Sequence, residues 1–153
     1  MFGFIHISIW GIIYLCLLFI PNMIWNYHKP IGYDSSNEDR FLLLIERVGE
    51  VLTTCFAVIQ FRSVRFQFDL VIMLSILCMF LYECYWIRYF SSPKTLEDFY
   101  KPFLKIPVPG AFLPVVGMFL LGIYQQHYLL IGSSVILGIG HVGIHLQHLR
   151  EIS

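Results

Sequence analysis

The stretch FLLLIERVGEVLTTCFAVIQF, residues 41–61, decides how the chain is read. Its mostly apolar part, residues 51–61, is about eleven residues long, or roughly 16 Å of helix. A membrane core is about 30 Å thick and takes about twenty residues to cross. A helix that crosses it must therefore begin near Phe41, and it carries Glu46, Arg47 and Glu50 into the hydrocarbon region. Two other stretches obey the same arithmetic. Residues 70–82 need Glu83 to complete a crossing, and residues 128–140 need His141 and His145. Ionisable groups inside a bilayer are costly, face the protein interior and mark function.

The composition agrees. Of 153 residues, 58% are apolar and only 13% are charged, where a soluble domain carries about a quarter charged residues. The formal net charge is zero and no basic or acidic block occurs, so nucleic acid is not an expected partner. The four cysteines, Cys16, Cys55, Cys78 and Cys84, all fall within apolar stretches and form no CxxC pair. They read as buried apolar fillers rather than a disulfide or zinc framework. The N-terminal apolar run has no positive leader and ends at Pro21-Asn22, so it reads as a retained first span.

The expected fold is all-α: a polytopic membrane helical bundle of about five transmembrane helices, folded as one integral membrane domain over residues 1–153. The spans are placed at residues 2–25, 41–61, 68–90, 104–125 and 128–147. The fourth begins among Pro107, Pro109, Gly110 and Pro114, which predicts an irregular entry and a shorter regular helix. The short turn at Gln126-His127 makes the last two spans antiparallel neighbours. Ser35-Ser36-Asn37-Glu38-Asp39 offers N-caps for the second span. Ser92-Pro93 opens a short helix in the loop between spans three and four, expected to lie along the membrane interface.

Lysine and arginine in the connections set the orientation. Lys29, Arg40, Arg88, Lys94, Lys101, Lys105 and Arg150 lie on one side, and only Arg62 and Arg65 on the other. This asymmetry predicts a cell-membrane protein with its N-terminus outside and its C-terminus cytoplasmic. The outer half reads as nearly all apolar.

The polar residues agree in depth. Measured from the cytoplasmic boundary, Glu46 lies roughly 7 Å deep, Glu50 about 13 Å, Glu83 about 10 Å, His141 about 10 Å and His145 about 5 Å. Asn22 and Asn26 end the first span at the same side. Glu46 and Glu50 are one turn apart on a single helix face, so either one is protonated or a cation sits between them. Arg47 can pair with Glu50, and a purely structural Glu–Arg network is the plainer alternative. His141, His145 and His148 form one stripe at i, i+4 and i+7, with Gly140 and Gly143 beside it. Imidazoles one turn apart can share a metal ion. Glu83 either joins this cluster or pairs with Arg88.

Three functions fit. The first is a metal-assisted enzyme, or a binding site, for a lipid-like small molecule: Glu50, His141 and His145 hold a divalent metal ion, Glu46 and Glu50 are the catalytic carboxylates, and Arg47, Glu83 and His148 contact the ligand. The second is a proton- or cation-coupled transporter or channel subunit. The third is a non-catalytic structural subunit. A one-sided polar pocket favours the first. Alternating access has no internal repeat to support it within one chain, though an oligomer would supply one.

Overall fold

The computed structural model describes residues 5–62 and 64–152. The chain is mostly helical, with α1 at Ile9–Tyr27, α2 at Arg40–Val58, α3 at Leu70–Phe90, α4 at Leu96–Tyr100, α5 at Pro109–Tyr124 and α6 at Tyr128–Glu151. Three of these, α1, α3 and α6, are long and apolar enough to cross a membrane. Helix α2 is 19 residues long but carries Arg40, Glu46, Arg47 and Glu50, and α5 has only 16 residues. The expectation of five spans is therefore supported for three.

Most helices start where a side chain can take up free backbone N–H groups. Ser8 accepts from Gly11 N at 3.0 Å, Asp39 from Phe41 N and Leu42 N at 2.9 Å each, and Asp69 from Ile72 N at 2.9 Å. Helix α6 is capped by an imidazole: His127 Nδ1 accepts from Leu130 N at 3.2 Å. That bond leaves the proton on Nε2, which faces Ile59 O at 2.7 Å.

The helices form a ring in the order α1, α2, α6, α5, α3, closing back on α1. Glycines set the tightest crossings. A Cβ on Gly140 would lie 2.3 Å from Glu46 N, and one on Gly49 would lie 2.4 Å from Leu137 Cα. With Gly143 against Leu42, these pairs make α2 and α6 antiparallel and bring their backbones close. Helices α5 and α6 are antiparallel neighbours, as the short turn requires, with Gly122 against Ile131 and Gly138 against Val115. Helix α1 runs beside α3, where Tyr14 and Ser75 hydroxyls meet at 2.9 Å and Ser75 donates onward to Gly117 O at 2.7 Å.

The structure departs from the expected fold in four places. First, the fold is not purely α: His6–Ile7 (β1) and Ile59–Gln60 (β2) pair antiparallel, because the segments flanking α1 and α2 are extended and adjacent. Residues 2–4 of the expected first span lie outside the described residues. Second, residues 104–108 are not helical. Leu104 and Lys105 take the left-handed conformation, Phe103 and Ile106 bond to each other across them, and Val108 enters α5 at φ 43°. Two successive positive φ values are the signature of a type I′ turn. Third, the short helix begins at Thr95 rather than Ser92: Thr95 and Asp98 form a reciprocal capping box. Its apolar residues Phe99 and Tyr100 are buried against the bundle end. Fourth, the end of the bundle near Ser8 is not apolar. Ser8, Gln60, Gln125 and His127 are all buried there, and Gln125 Nε2 donates to Ser8 Oγ at 2.9 Å.

Large apolar side chains point outward around the ring, among them Phe19 and Ile20 on α1, Met73 and Phe80 on α3, and Val135 and Ile139 on α6. Such a belt is what a lipid-facing surface requires.

Candidate functional site

At the end of the bundle opposite Ser8, Glu46 is the buried residue of α2 that begins an inward stripe continued by Gly49, Thr53 and Ala57. Because Gly140 lets α6 approach, the next residue on α6, His141, reaches the Glu46 carboxylate: Nδ1 and Oε1 lie 2.5 Å apart. This is a short pair between two groups that can exchange one proton. The His145 ring stands edge-on to that of His141 at 4.8 Å and packs against Phe99 and Tyr100.

A polar cavity of about 250 Å³ opens beside this pair. Glu46, Arg47, Glu50, His141 and His145 all line it, so most residues that agreed in depth by sequence do meet in space. The remaining wall comes from Trp25, Lys29, Tyr33, Glu38, Trp86 and Phe99. Trp25 stacks on Phe99 at 5.5 Å and meets Tyr33 edge-on at 5.1 Å. Pro30 and Gly32 form a turn that brings Tyr33 in: Tyr33 N donates to Pro30 O at 3.1 Å, with Gly32 at φ 84°. The Tyr33 hydroxyl is pushed up to about 12, first by burial and then by the nearby Glu38 carboxylate, so it stays a donor.

Within this cavity Glu46 and Glu50 have different partners. Glu46 is only 8% exposed and faces His141, while Glu50 is bound by Arg47 at 2.9 Å with side chains 43% and 68% exposed. Arg47, three residues before Glu50 on the same helix, bonds that carboxylate and holds it toward the rim. Arg47 thus stands at the mouth rather than inside. Glu50, His141 and His145 do not converge, and among the described residues no three His, Cys, Asp or Glu side chains form a group that could hold a metal ion. What those positions assemble is the Glu46–His141 pair.

His148 lies behind the cavity wall. Its Nε2 donates to Glu38 Oε1 at 3.0 Å and its Nδ1 lies 3.6 Å from Glu151, so it positions Glu38. Glu83 lines neither this cavity nor its neighbour, and its Oε1 is buried with no hydrogen-bond partner. Arg88 does not pair with Glu83. It donates to the carbonyls of Lys101 and Pro102 at 2.7 and 3.0 Å and lies over the rings of Tyr85 and Phe103. That clamp holds the α4–α5 connection over the bundle end.

A second, larger space of about 610 Å³ continues from the first between α1 and α2. Its walls are Leu15, Leu18 and Phe19 on α1 and Val51, Thr53, Thr54 and Cys55 on α2, with Pro114, Val115, Met118 and Leu137 behind. The two spaces share Asn22, Trp25, Arg47, Glu50, Gly110 and His141. At the far end the cleft is pinched shut, where Gly11 sits against the backbone of Ala57. Asn22 fixes the wall by donating to Tyr82 Oη at 2.9 Å and to Leu18 O at 2.7 Å, beside Pro21 in mid-helix.

Trp25, Tyr33, Glu38 and Phe99 were missed by the sequence reading. Three of them lie in or beside loops with no periodicity to place them. The available signal was the aromatic clustering at one side of the membrane, which also fits an interfacial belt. No protein-family model, curated protein or solved structure matches this chain.

Proposed function

We propose that the chain is a five-span integral membrane protein that binds a lipid-like amphiphile from within the bilayer. In this reading α2 and α5 also cross, in one domain with α1, α3 and α6. The ligand enters sideways between α1 and α2, lays its chain in the apolar cleft and seats its polar end beside Glu46 and His141. The observation that carries this reading is the continuity of a polar cavity with an apolar cleft through six shared residues. The cleft falls within the roughly 300–1,000 Å³ typical of ligand sites. The Glu46–His141 pair gives the head-group end a proton donor and acceptor.

The basic residues support the orientation. Lys29, Arg40, Arg88, Lys94, Lys101, Lys105 and Arg150 belong to the site end, an asymmetry that supports a site in the cytoplasmic leaflet of the cell membrane. Relay of a proton or cation through the bundle is supported less well, because the buried residues at the other end bond to one another: Gln125 to Ser8, and His127 to the Ile59 carbonyl.

The test is native mass spectrometry of protein extracted gently from its membrane. A retained lipid is expected on the wild type and should be lost from Thr54→Trp, which fills the cleft. Equal retention by both removes the proposal. Flux in proteoliposomes that depends on Glu46 would favour the relay instead.

A further inference from the structure

The state of each polar group in the cavity bears on the charge of the ligand's head. All three carboxylates in the wall already have partners. Glu38 accepts from His148 at 3.0 Å and from Tyr33 at 3.5 Å, Glu46 faces His141 at 2.5 Å, and Glu50 is bound by Arg47 at 2.9 Å. The donors are less well served. Lys29 has no carboxylate partner among the described residues and rests over the Trp25 ring at 5.2 Å. The indole N–H groups of Trp25 and Trp86 are closed off from the cavity and turn to the Tyr89 and Tyr82 hydroxyls. The donors that do line it are Lys29 and Arg47, so the open hydrogen-bonding capacity of the wall is cationic.

An ammonium head group would find the opposite situation. The aromatic rings lie against one another, Trp25 on Phe99 and Trp86 within 6.1 Å of Phe99, rather than around an open cage. The face of Trp25 is already taken by Lys29. A cation gains most where ring faces are free and carboxylates are unpaired.

We infer that the amphiphile of the previous section carries an acidic head group, a phosphate or carboxylate, received by Lys29 and Arg47, with its chain in the α1–α2 cleft. This inference rests on that reading and adds the chemistry of the head. Arg47 bonds Glu50 through one of its guanidinium nitrogens, so the rest of its donor fork can bind an oxyanion at the mouth.

The experiment offers the full chain, in nanodiscs of neutral lipid, a series of amphiphiles with the same oleoyl chains: phosphatidic acid, oleic acid, phosphatidylcholine and oleylamine. Binding is read by tryptophan fluorescence and by native mass spectrometry. The acidic members should bind at least about tenfold tighter than phosphatidylcholine, as a charged hydrogen bond supplies. Lys29→Met should weaken phosphatidic acid by about tenfold, and Arg47→Met by several-fold. Oleylamine or phosphatidylcholine binding as well as the acids would overturn the acidic head while leaving the cleft in place. Unchanged affinity in the Lys29→Met, Arg47→Met double variant, with an unchanged melting temperature, would overturn the assignment of these residues. Inorganic phosphate binding as tightly as phosphatidic acid would overturn the seating of the chain. No binding by any amphiphile fails the underlying reading itself.

Discussion

Helix α2 has two neighbours and treats them differently. Toward α6 it presents Glu46 and Gly49 to Gly140 and Leu137, and the two backbones touch. Toward α1 it presents Val51, Thr54 and Cys55 to Leu15, Leu18 and Phe19, and a cleft of about 610 Å³ remains. Both helix pairs are antiparallel, so direction does not explain the contrast. Side-chain size does: glycine at the crossing lets helices close, and larger residues hold them apart except at Gly11–Ala57. One seam is thus a close support for the Glu46–His141 pair, and the other leaves an open cleft.

The largest expected effect comes from wedging the closed seam. Gly140→Val places methyl groups where Glu46 N already lies 2.3 Å from an ideal Cβ, so α2 and α6 must separate. A loss of roughly 3 kcal/mol or more is expected, read as a lowered melting temperature in detergent, together with loss of ligand binding. A melting temperature unchanged by Gly140→Val would mean the seam is not closed. Gly11→Val meets the Ala57 backbone even more closely, so it should cost about as much while prising α1 from α2 and widening the cleft. A cysteine placed on the cleft wall should then label faster in the variant.

His141→Leu leaves the Glu46 carboxylate largely buried without its partner. We expect a loss of about 2 kcal/mol at neutral pH, recovered by adding Glu46→Gln in the double variant. Additive losses would show that the two residues do not act as a pair. Arg47→Met should change stability by less than about 1 kcal/mol, since the side chain is 68% exposed, yet weaken an acidic ligand. Stability and binding falling together would place Arg47 in the core instead.

The smallest effect is local and depends on pH. The Thr95 N–H and hydroxyl hold the Asp98 carboxyl below the usual carboxylate range. A group lowered in the folded state adds stability above its unfolded value and loses it as pH falls through the folded one. Amide exchange in α4 should therefore speed up only below about pH 4, and not at all in Asp98→Asn. Faster exchange at neutral pH would break this account.

The depth arithmetic put the polar residues of the cavity at one level because the length of a membrane crossing is set by the bilayer, independent of packing. Glu46, Arg47, Glu50, His141 and His145 were legible on that ground and do line one cavity. The identity of the pairs was not legible. Glu46 and Glu50 look equivalent by spacing, yet only Glu46 lies on the stripe with Gly49, Thr53 and Ala57 that faces the bundle. Glu83 has the right depth on the wrong side of its helix. The contributions of Tyr33, Glu38 and Phe99 depend on the path of loops, and their spacing follows no period.

By itself the sequence determined that the chain is built of apolar helices, placed as five spans of which three are long and apolar enough to cross a membrane, that the end of α5 near Pro109 is irregular, and at what level the acids and imidazoles were expected to gather. These follow from length, hydropathy and proline chemistry along one chain. Only the tertiary structure decided that α6 closes on α2 while α1 stands off it, and so which carboxylate meets a histidine and where a cleft opens. The reason is that depth is a property of one helix, whereas a pair and a cavity depend on the rotation and separation of two.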